Sequence, residues 1–299
     1  MTTSRTAQLF GSGMTRHDLD RAVQRGELVR VRHGAWSEPG ADGDLQQHRL
    51  LLEGTWPLLG EGAVLSHGSA GVPHGLPVWP ALLERVSITR SGGGHGARTR
   101  NLHVRRAPLA PPEVQAQGGY RVTSLERTAV DLARLLSYER AVAVLDAALH
   151  AQADAGLLDE TVRAAVGRSG AATARRALAF ADGRAESVGE SVSRVRMAQV
   201  RLPAPDLQTR VFDAAGRFVA RCDFCWPGRR VIGEFDGAVK YTGTPEEVAA
   251  AVMAEKRRQT AIEALGWLVV RWTWSELFDA EAFRVKIAAA LARGGSPVR

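Results

Sequence analysis

Apolar and polar positions divide the chain into three stretches of different texture. Near the start, Arg5–Phe10 reads as a short helix broken by Gly11-Ser12-Gly13, after which Thr15 caps a second helix through His17–Val23 that Gly26 ends. Leu28-Val29-Arg30-Val31-Arg32 then alternates at strand period, His33-Gly34 turns the chain, and Ala35-Trp36 begins the return. Further on, spacing predicts a helix over Leu45–Leu59 and strands at Ala63–Leu65, Arg85–Thr89 and Leu102–Val104. The Gly-rich basic segment Ser91–Arg98 lacks the lysine and spacing of a phosphate-binding loop and reads as a flexible connection. Ser124 caps a helix carrying Leu125, Thr128, Ala129 and Leu132 at helical spacing, and Ala-rich helices continue to Phe180.

From Arg184 the pattern runs helix, three strands, helix, strand, helix. Val188, Val192, Val195 and Met197 give the first helix an apolar side, while Glu186 and Glu190, four apart, share a face. Leu207–Phe212 and Arg217–Trp226 form a hairpin about Asp213–Gly216, and Arg229–Asp236 is the third strand. A helix over Pro245–Leu265 carries Val248, Val252, Ile262 and Leu265 on one side, with Glu255 and Gln259 on the same stripe, and Trp267–Trp274 reads as a buried strand.

The fold class is therefore α/β. Residues 1–40 have the layout of a small winged helix, 41–183 form a mixed α/β middle region, and 184–299 form a third, α/β domain. In a winged helix the second helix can enter the major groove of DNA, with Arg25, Arg30 and Arg32 near phosphates; a protein-docking or structural cap is the alternative.

Composition adjusts this picture modestly. The 299 residues carry a net charge of +7, with most of the excess at the two ends, which suits a polyanionic partner. Only Lys240, Lys256 and Lys286 are lysines, however, and such Arg dominance beside abundant Ala and Gly also follows from a GC-rich genome. No opening stretch resembles a signal peptide and no apolar run approaches a membrane span, so the expected compartment is the cytoplasm, without membrane attachment. Cys222 and Cys225, the only cysteines, leave a lone CxxC; on a strand they would point to opposite faces, as small half-buried residues flanking Asp223. His67 and His74 find no convincing third metal ligand and read as loop or core histidines.

The candidate chemistry lies in the last stretch. Glu234 and Asp236 are two apart on one strand and project to one side, with Phe235 on the other, and pairing with the preceding hairpin arm brings Asp223 beside them. Three converging anions call for a hard cation with oxygen ligands, Mg²⁺ or Mn²⁺, and zinc is disfavoured because no histidine follows His150. Such an ion lowers the pKa of bound water and stabilises charge on a scissile phosphate. Arginine forks on these carboxylates would remove the need for it. Glu255 and Gln259 face this site or the strand ends, and Lys256, Arg257 and Arg258 contact phosphate or solvent.

Asp223, then Glu234-Phe235-Asp236-Gly237, then Lys240-Tyr241 within this element order resembles the PD-(D/E)XK nuclease superfamily, and more closely a group similar to very-short-patch-repair endonucleases. The resemblance covers residues 184–299 and implies a restriction-endonuclease-like αβββαβ core. It implies a divalent-metal-dependent DNA endonuclease or nickase, in defence or repair: Asp223 and Glu234 ligate metal, Asp236 completes the shell, and Lys240 stabilises the phosphorane charge. Glu190, or Glu186, is the first-helix acid that orients a metal water. Asp236 stands where the superfamily places lysine, which leaves open a non-catalytic DNA-binding regulator on the same fold. Residues 1–180 resemble antitoxin-type proteins of the abortive-infection family through the amino-terminal pattern, Ser66-His67-Gly68-Ser69-Ala70 and Val122–Thr128. That likeness implies DNA binding or control of a cognate toxin or defence protein.

Overall fold

The computed structural model describes residues 2–237 and 244–294, and the chain is mixed α/β. Contacts gather it into two units, residues 1–136 with 153–175, and residues 137–152 with 176–299.

The first unit opens with β1 (Ser4–Arg5), α1 (Thr6–Gly11) and α2 (Arg16–Gln24). Thr15 caps α2 as its position demands: Asp18 N–H donates to Thr15 Oγ1 at 3.2 Å, and the Asp18 carboxylate accepts the Thr15 N–H at 3.0 Å. β2 (Val29–Arg32) and β3 (Ala35–Ser37) pair antiparallel, and β1 adds to β3. After α3 (Gly43–Thr55) come β4 (Val64–Leu65), α4 (His67–Gly71), β5 (Val86–Arg90), β6 (Ala97–Arg98), β7 (Leu102–Arg106), β8 (Val114–Gln117) and β9 (Tyr120–Thr123). Their six-stranded mixed sheet has the order β6-β7-β5-β4-β9-β8. Leu65, Val86, Ile88 and Val122 meet Leu51, Leu52 and Ala70 in its core. α5 (Leu125–Ala133) follows β9, its start fixed by Ser124 Oγ accepting the Arg127 N–H at 3.2 Å.

α6 (Tyr138–His150) belongs to the second unit, although sequence places it in the middle region; α7 (Ala155–Ala164) returns to pack on α5. α8 (Ala171–Phe180) leads to α9 (Val188–Gln199), which packs on α6. That packing encloses an ion pair, since Arg194 Nη1 lies 2.7 Å from the buried Asp146 carboxylate. β10 (Asp206–Phe212) and β11 (Phe218–Trp226) form the expected hairpin, β12 (Val231–Phe235) pairs antiparallel with β11, α10 (Pro245–Ala264) crosses over, and β13 (Leu268–Trp272) pairs parallel with β12. α11 (Trp274–Phe278) and α12 (Ala280–Arg293) complete the unit.

Two cores border this sheet. Phe224, Trp226, Val231 and Trp272 meet Val192, Met197, Phe283 and Ile287 in the larger, where burial of each large ring contributes on the order of 2–3 kcal/mol. Cys222, Cys225 and Ile232 meet Ile262 in the smaller. The cysteines therefore do not diverge as strand alternation demands, and both are buried rather than half-buried. The reason is a local irregularity: the β10–β11 pairing skips Gln208 and Asp223, and Gln208 takes a left-handed φ of 51°. The expected apolar stripe of α10 is likewise buried only towards its end, at Ile262, whereas Val252 is exposed.

Among the described residues no helix is long and apolar enough to cross a membrane.

Candidate functional site

Backbone pairing decides which side chains meet in the second unit. The β11–β12 ladder runs Trp226↔Val231, Cys225↔Ile232, Phe224↔Gly233, so its continuation sets Asp223 opposite Glu234. There the main-chain ladder gives way to a side chain: Asp223 Oδ2, rather than a carbonyl, accepts the Phe235 N–H at 3.1 Å. On its other side, β12 pairs Glu234 with Arg271 of β13. Asp223, Glu234 and Arg271 thus lie side by side across three strands.

The α9 end supplies the second acid. Ser187 caps α9, accepting the Glu190 N–H at 3.1 Å, while its hydroxyl donates to Glu190 Oε1 at 2.8 Å. Glu190 Oε2 accepts the Glu186 N–H at 3.0 Å and Gln208 Nε2–H at 2.9 Å, so a buried carboxylate is held by three neutral donors. Gly189 lets this turn of helix close on the sheet, because a Cβ there would fall 1.9 Å from the Phe235 ring.

Asp223 feels the result. Burial, then the Glu190 charge, push its carboxyl up to about 6, with Glu234 adding in the same direction against the Phe235 hydrogen bond and Arg258. A carboxyl lifted by neighbouring acids is one that a cation would relieve.

Glu234 is in a different position. Arg258 of α10 hydrogen-bonds its Oε1, and Arg271 Nε donates to its Oε2 at 3.0 Å. Both arginines also hold Glu255: Arg258 Nε at 3.1 Å, and Arg271 through Nη2. The result is a closed ring of two guanidinium groups and two carboxylates over the strand ends. Glu234 is only 7% exposed, but the Arg258 and Arg271 side chains remain 29% and 32% exposed. Arginine forks thus sit on one member of the expected acidic triad and leave the Glu190–Asp223 pair without a salt bridge among the described residues.

The remaining predicted residues scatter. Asp236 lies one position past β12; its N–H still donates to the Trp272 carbonyl at 2.8 Å, but its side chain is exposed, because the strand ends before a second inward position is reached. Lys240 lies outside the described residues. Glu186 pairs with Arg221 at 2.7 Å. Glu255 faces the site through the two arginines, but Gln259 turns away to donate to Glu263 at 2.8 Å, one helical turn on. Lys256 and Arg257 are exposed, whereas Arg258 is drawn inward by the carboxylates it serves. In the first unit Arg25 is exposed beside Glu27 at 3.2 Å, and Arg30 is exposed with its guanidinium 5.8 Å from the Trp36 ring centre. Arg32 is not a surface residue of that kind: it is half-buried against Gly54, whose carbonyl it reaches at 3.4 Å.

Sequence reading missed Gln208, Arg271 and Gly189. For Arg271 and Gln208 no local pattern marks a partner two strands away, but a lone glycine in the first turn of an amphipathic helix signals close approach.

The cysteines add no chemistry. Burial lifts the Cys222 thiol to about 11 and Cys225 to about 12, and both are free.

No protein-family profile matches the chain. Two curated relatives, "Uncharacterized protein MT2308" and "Uncharacterized protein Rv2248", come from two strains of Mycobacterium tuberculosis; each is 34% identical over 261 residues, 86% of this chain and 89% of the relative. The chain belongs to the family of these mycobacterial proteins. At that coverage the family shares both units rather than one.

Proposed function

We propose that the second unit is a divalent-metal-dependent, nuclease-type phosphodiester hydrolase acting on DNA. The observation that carries this reading is Asp223, raised to about 6 between Glu190 and Glu234 on an inner strand of a helix-bracketed sheet. The order α9, β10, β11, β12, α10, β13 supports a restriction-endonuclease-like core, as the resemblance implies. Among the described residues no group of three or more metal-binding side chains is arranged to hold an ion. Asp223 and Glu190 nevertheless fit a hard cation in charge and donor type, because among the described residues neither has a cationic partner at salt-bridge distance. Glu234 does not join them while Arg258 and Arg271 occupy it. A bound Mg²⁺ or Mn²⁺ would supply Lewis acidity and an activated water. The chain's own part is to fix the two carboxylates: Gln208 and Ser187 orient Glu190, and the Phe235 N–H orients Asp223. Arg258 and Arg271, part-exposed beside them, would meet phosphate charge by exchanging part of their pairing with Glu234 and Glu255.

In the first unit we read α1, α2 and the β2–β3 hairpin as a winged helix, with exposed Arg25 and Arg30 towards the DNA backbone, and the likeness to antitoxin-type proteins as a reason to look for a toxin or defence partner.

Cleavage tests the enzymatic reading. Purified protein with Mg²⁺ or Mn²⁺ should cut DNA, and Asp223→Asn or Glu190→Gln should lower the rate about a hundredfold or more; undiminished cutting by both variants would rule it out.

The arginine ring favours a second reading, a DNA-binding regulator that retains a nuclease fold without catalysis. It requires DNA retention that is sensitive to salt but persists in EDTA and in Asp223→Asn.

A further inference from the structure

The two motifs that link the first unit to antitoxin-type proteins, Ser66–Ala70 and Val122–Thr128, are distant in sequence, and no residue of either belongs to the site described above. They meet at one cavity. His67, at the start of α4, and Arg127, in α5, line a pocket of about 650 Å³ together with β6 and β7. That volume suits a small-molecule ligand.

Its charge is one-sided. Arg98, Arg105, Arg106, Arg127, Arg134 and Arg168 line it, with Asp131 as the single carboxylate in the wall. Asp131 is already spent: Arg127 Nε reaches it at 2.8 Å and Arg134 Nη1 at 3.0 Å. Arg127 has a further partner in Glu113 at 2.7 Å, and Arg134 Nε donates to the Ser169 carbonyl at 3.1 Å. Arg105 has no such relief, since among the described residues its Nη1 is buried without a hydrogen-bond partner. Burial, and then Arg98 and Arg134 against the pull of Asp131, lower its pKa. The floor is also unusual. His67 is buried with a left-handed φ of 53°, its Nδ1 is taken up by Ser66 Oγ at 3.0 Å, and burial pushes it down to about 3, so it offers a neutral ring. Val104, Ala107, Pro108 and Leu135 give the same pocket an apolar wall.

Crowded cations with one unmet guanidinium donor need an anion, as crowded carboxylates need a metal. The cluster gathers its cations around one partly open pocket with the unpartnered Arg105 nitrogen in its wall, a single focus that suits a terminal phosphate with three free oxygens better than a chain of diesters. We propose that this pocket binds a phosphomonoester, its phosphate held by Arg105 with Arg98 and Arg168, and its organic part against the apolar wall. The assignment is independent of any activity in the second unit.

Calorimetric titration of the full chain in EDTA tests it. The probes are adenosine monophosphate against adenosine, a short oligonucleotide with a 5′-phosphate against the same strand with a 5′-hydroxyl, and inorganic phosphate. A phosphorylated probe should bind at least about tenfold more tightly than its hydroxyl counterpart, and Arg105→Gln should remove about that factor. Arg98 and Arg168 are exposed, so the paired change Arg98→Gln with Arg168→Gln reads out the site without burdening the fold. Preference for the mononucleotide identifies a free metabolite as the source of the phosphate; preference for the strand identifies a nucleic-acid end. Equal binding of phosphorylated and hydroxyl probes, undiminished binding by the paired variant, or retention of inorganic phosphate alone would each overturn the proposal.

Discussion

Asp223 is a carboxyl whose surroundings change its chemistry. Its carboxyl rises from 3.8 to about 6, so between those values the folded chain holds a proton that the unfolded chain has released. The contribution of this group to stability is therefore greatest below about pH 4 and falls as pH rises through 6. Asp223→Asn removes the repulsion, and the variant should be more stable than the parent at pH 7.5 by on the order of 1–2 kcal/mol, allowing for partial solvent access. Urea midpoints at pH 4 and 7.5 measure this, and the advantage should vanish at the lower pH. An advantage equal at both values would mean that Asp223 is not compressed by its acidic neighbours. Under the proposed metal-dependent reading, the same linkage should make cation binding at Glu190 and Asp223 tighten from pH 5 to 7 in the parent, with the slope lost in Asp223→Asn.

Among the elements, α9, packed in the larger core, and α10, packed in the smaller, both set the site. Gly189 allows α9 to touch Phe235, and Gly189→Ala should force them apart at a cost of roughly 1–3 kcal/mol. The thermal midpoint should fall, and the pH response of Asp223 should weaken as Glu190 withdraws. On the α10 side, Arg258→Ala leaves Glu234 with Arg271 alone and should cost about 1–3 kcal/mol. A double-mutant cycle with Glu234→Gln should return a coupling above roughly 0.5 kcal/mol; strict additivity would show the ring to be a surface arrangement without energetic consequence. Much of this element level was legible in sequence. Thr15 and Ser124 start their helices because their side chains take N–H groups that the first turn leaves unpaired, and the apolar run ahead of Glu234 marks the third strand. Asp223 was legible as an acid beside the third strand, and Glu190, with Glu186, only through the family resemblance. The arginine ring was not, because Arg271 reaches Glu234 through strand register and Arg258 through the placement of a crossover helix, neither of which has a local pattern. Asp236 misled for the converse reason: period-two reasoning assumes that the strand continues, and β12 stops at Phe235.

For the whole molecule, the lesson concerns boundaries. Pattern places a division near residue 184, but α6 packs on α9, and Arg194 holds Asp146 in their contact. The Ala-rich texture that joins α5 through α8 in sequence says nothing about which body each helix covers. A chain spanning 184–299 lacks α6, so it should melt less cooperatively than one spanning 137–299, and circular dichroism against temperature distinguishes them. Equal melting would show α6 to be dispensable to the second body.

Because the polypeptide leaves the first body for α6, comes back for α7 and then departs again, neither half is a contiguous cassette. On the ribosome the early portion cannot finish closing until residue 175 has emerged, by which time α6 has been exposed and waiting for a partner not yet made. A single protease cut cannot release either half intact, and a gene fusion that transplants one of them must carry a piece of the other. Such interleaving ties the inheritance of both bodies together, in keeping with mycobacterial relatives that match along nearly their full length.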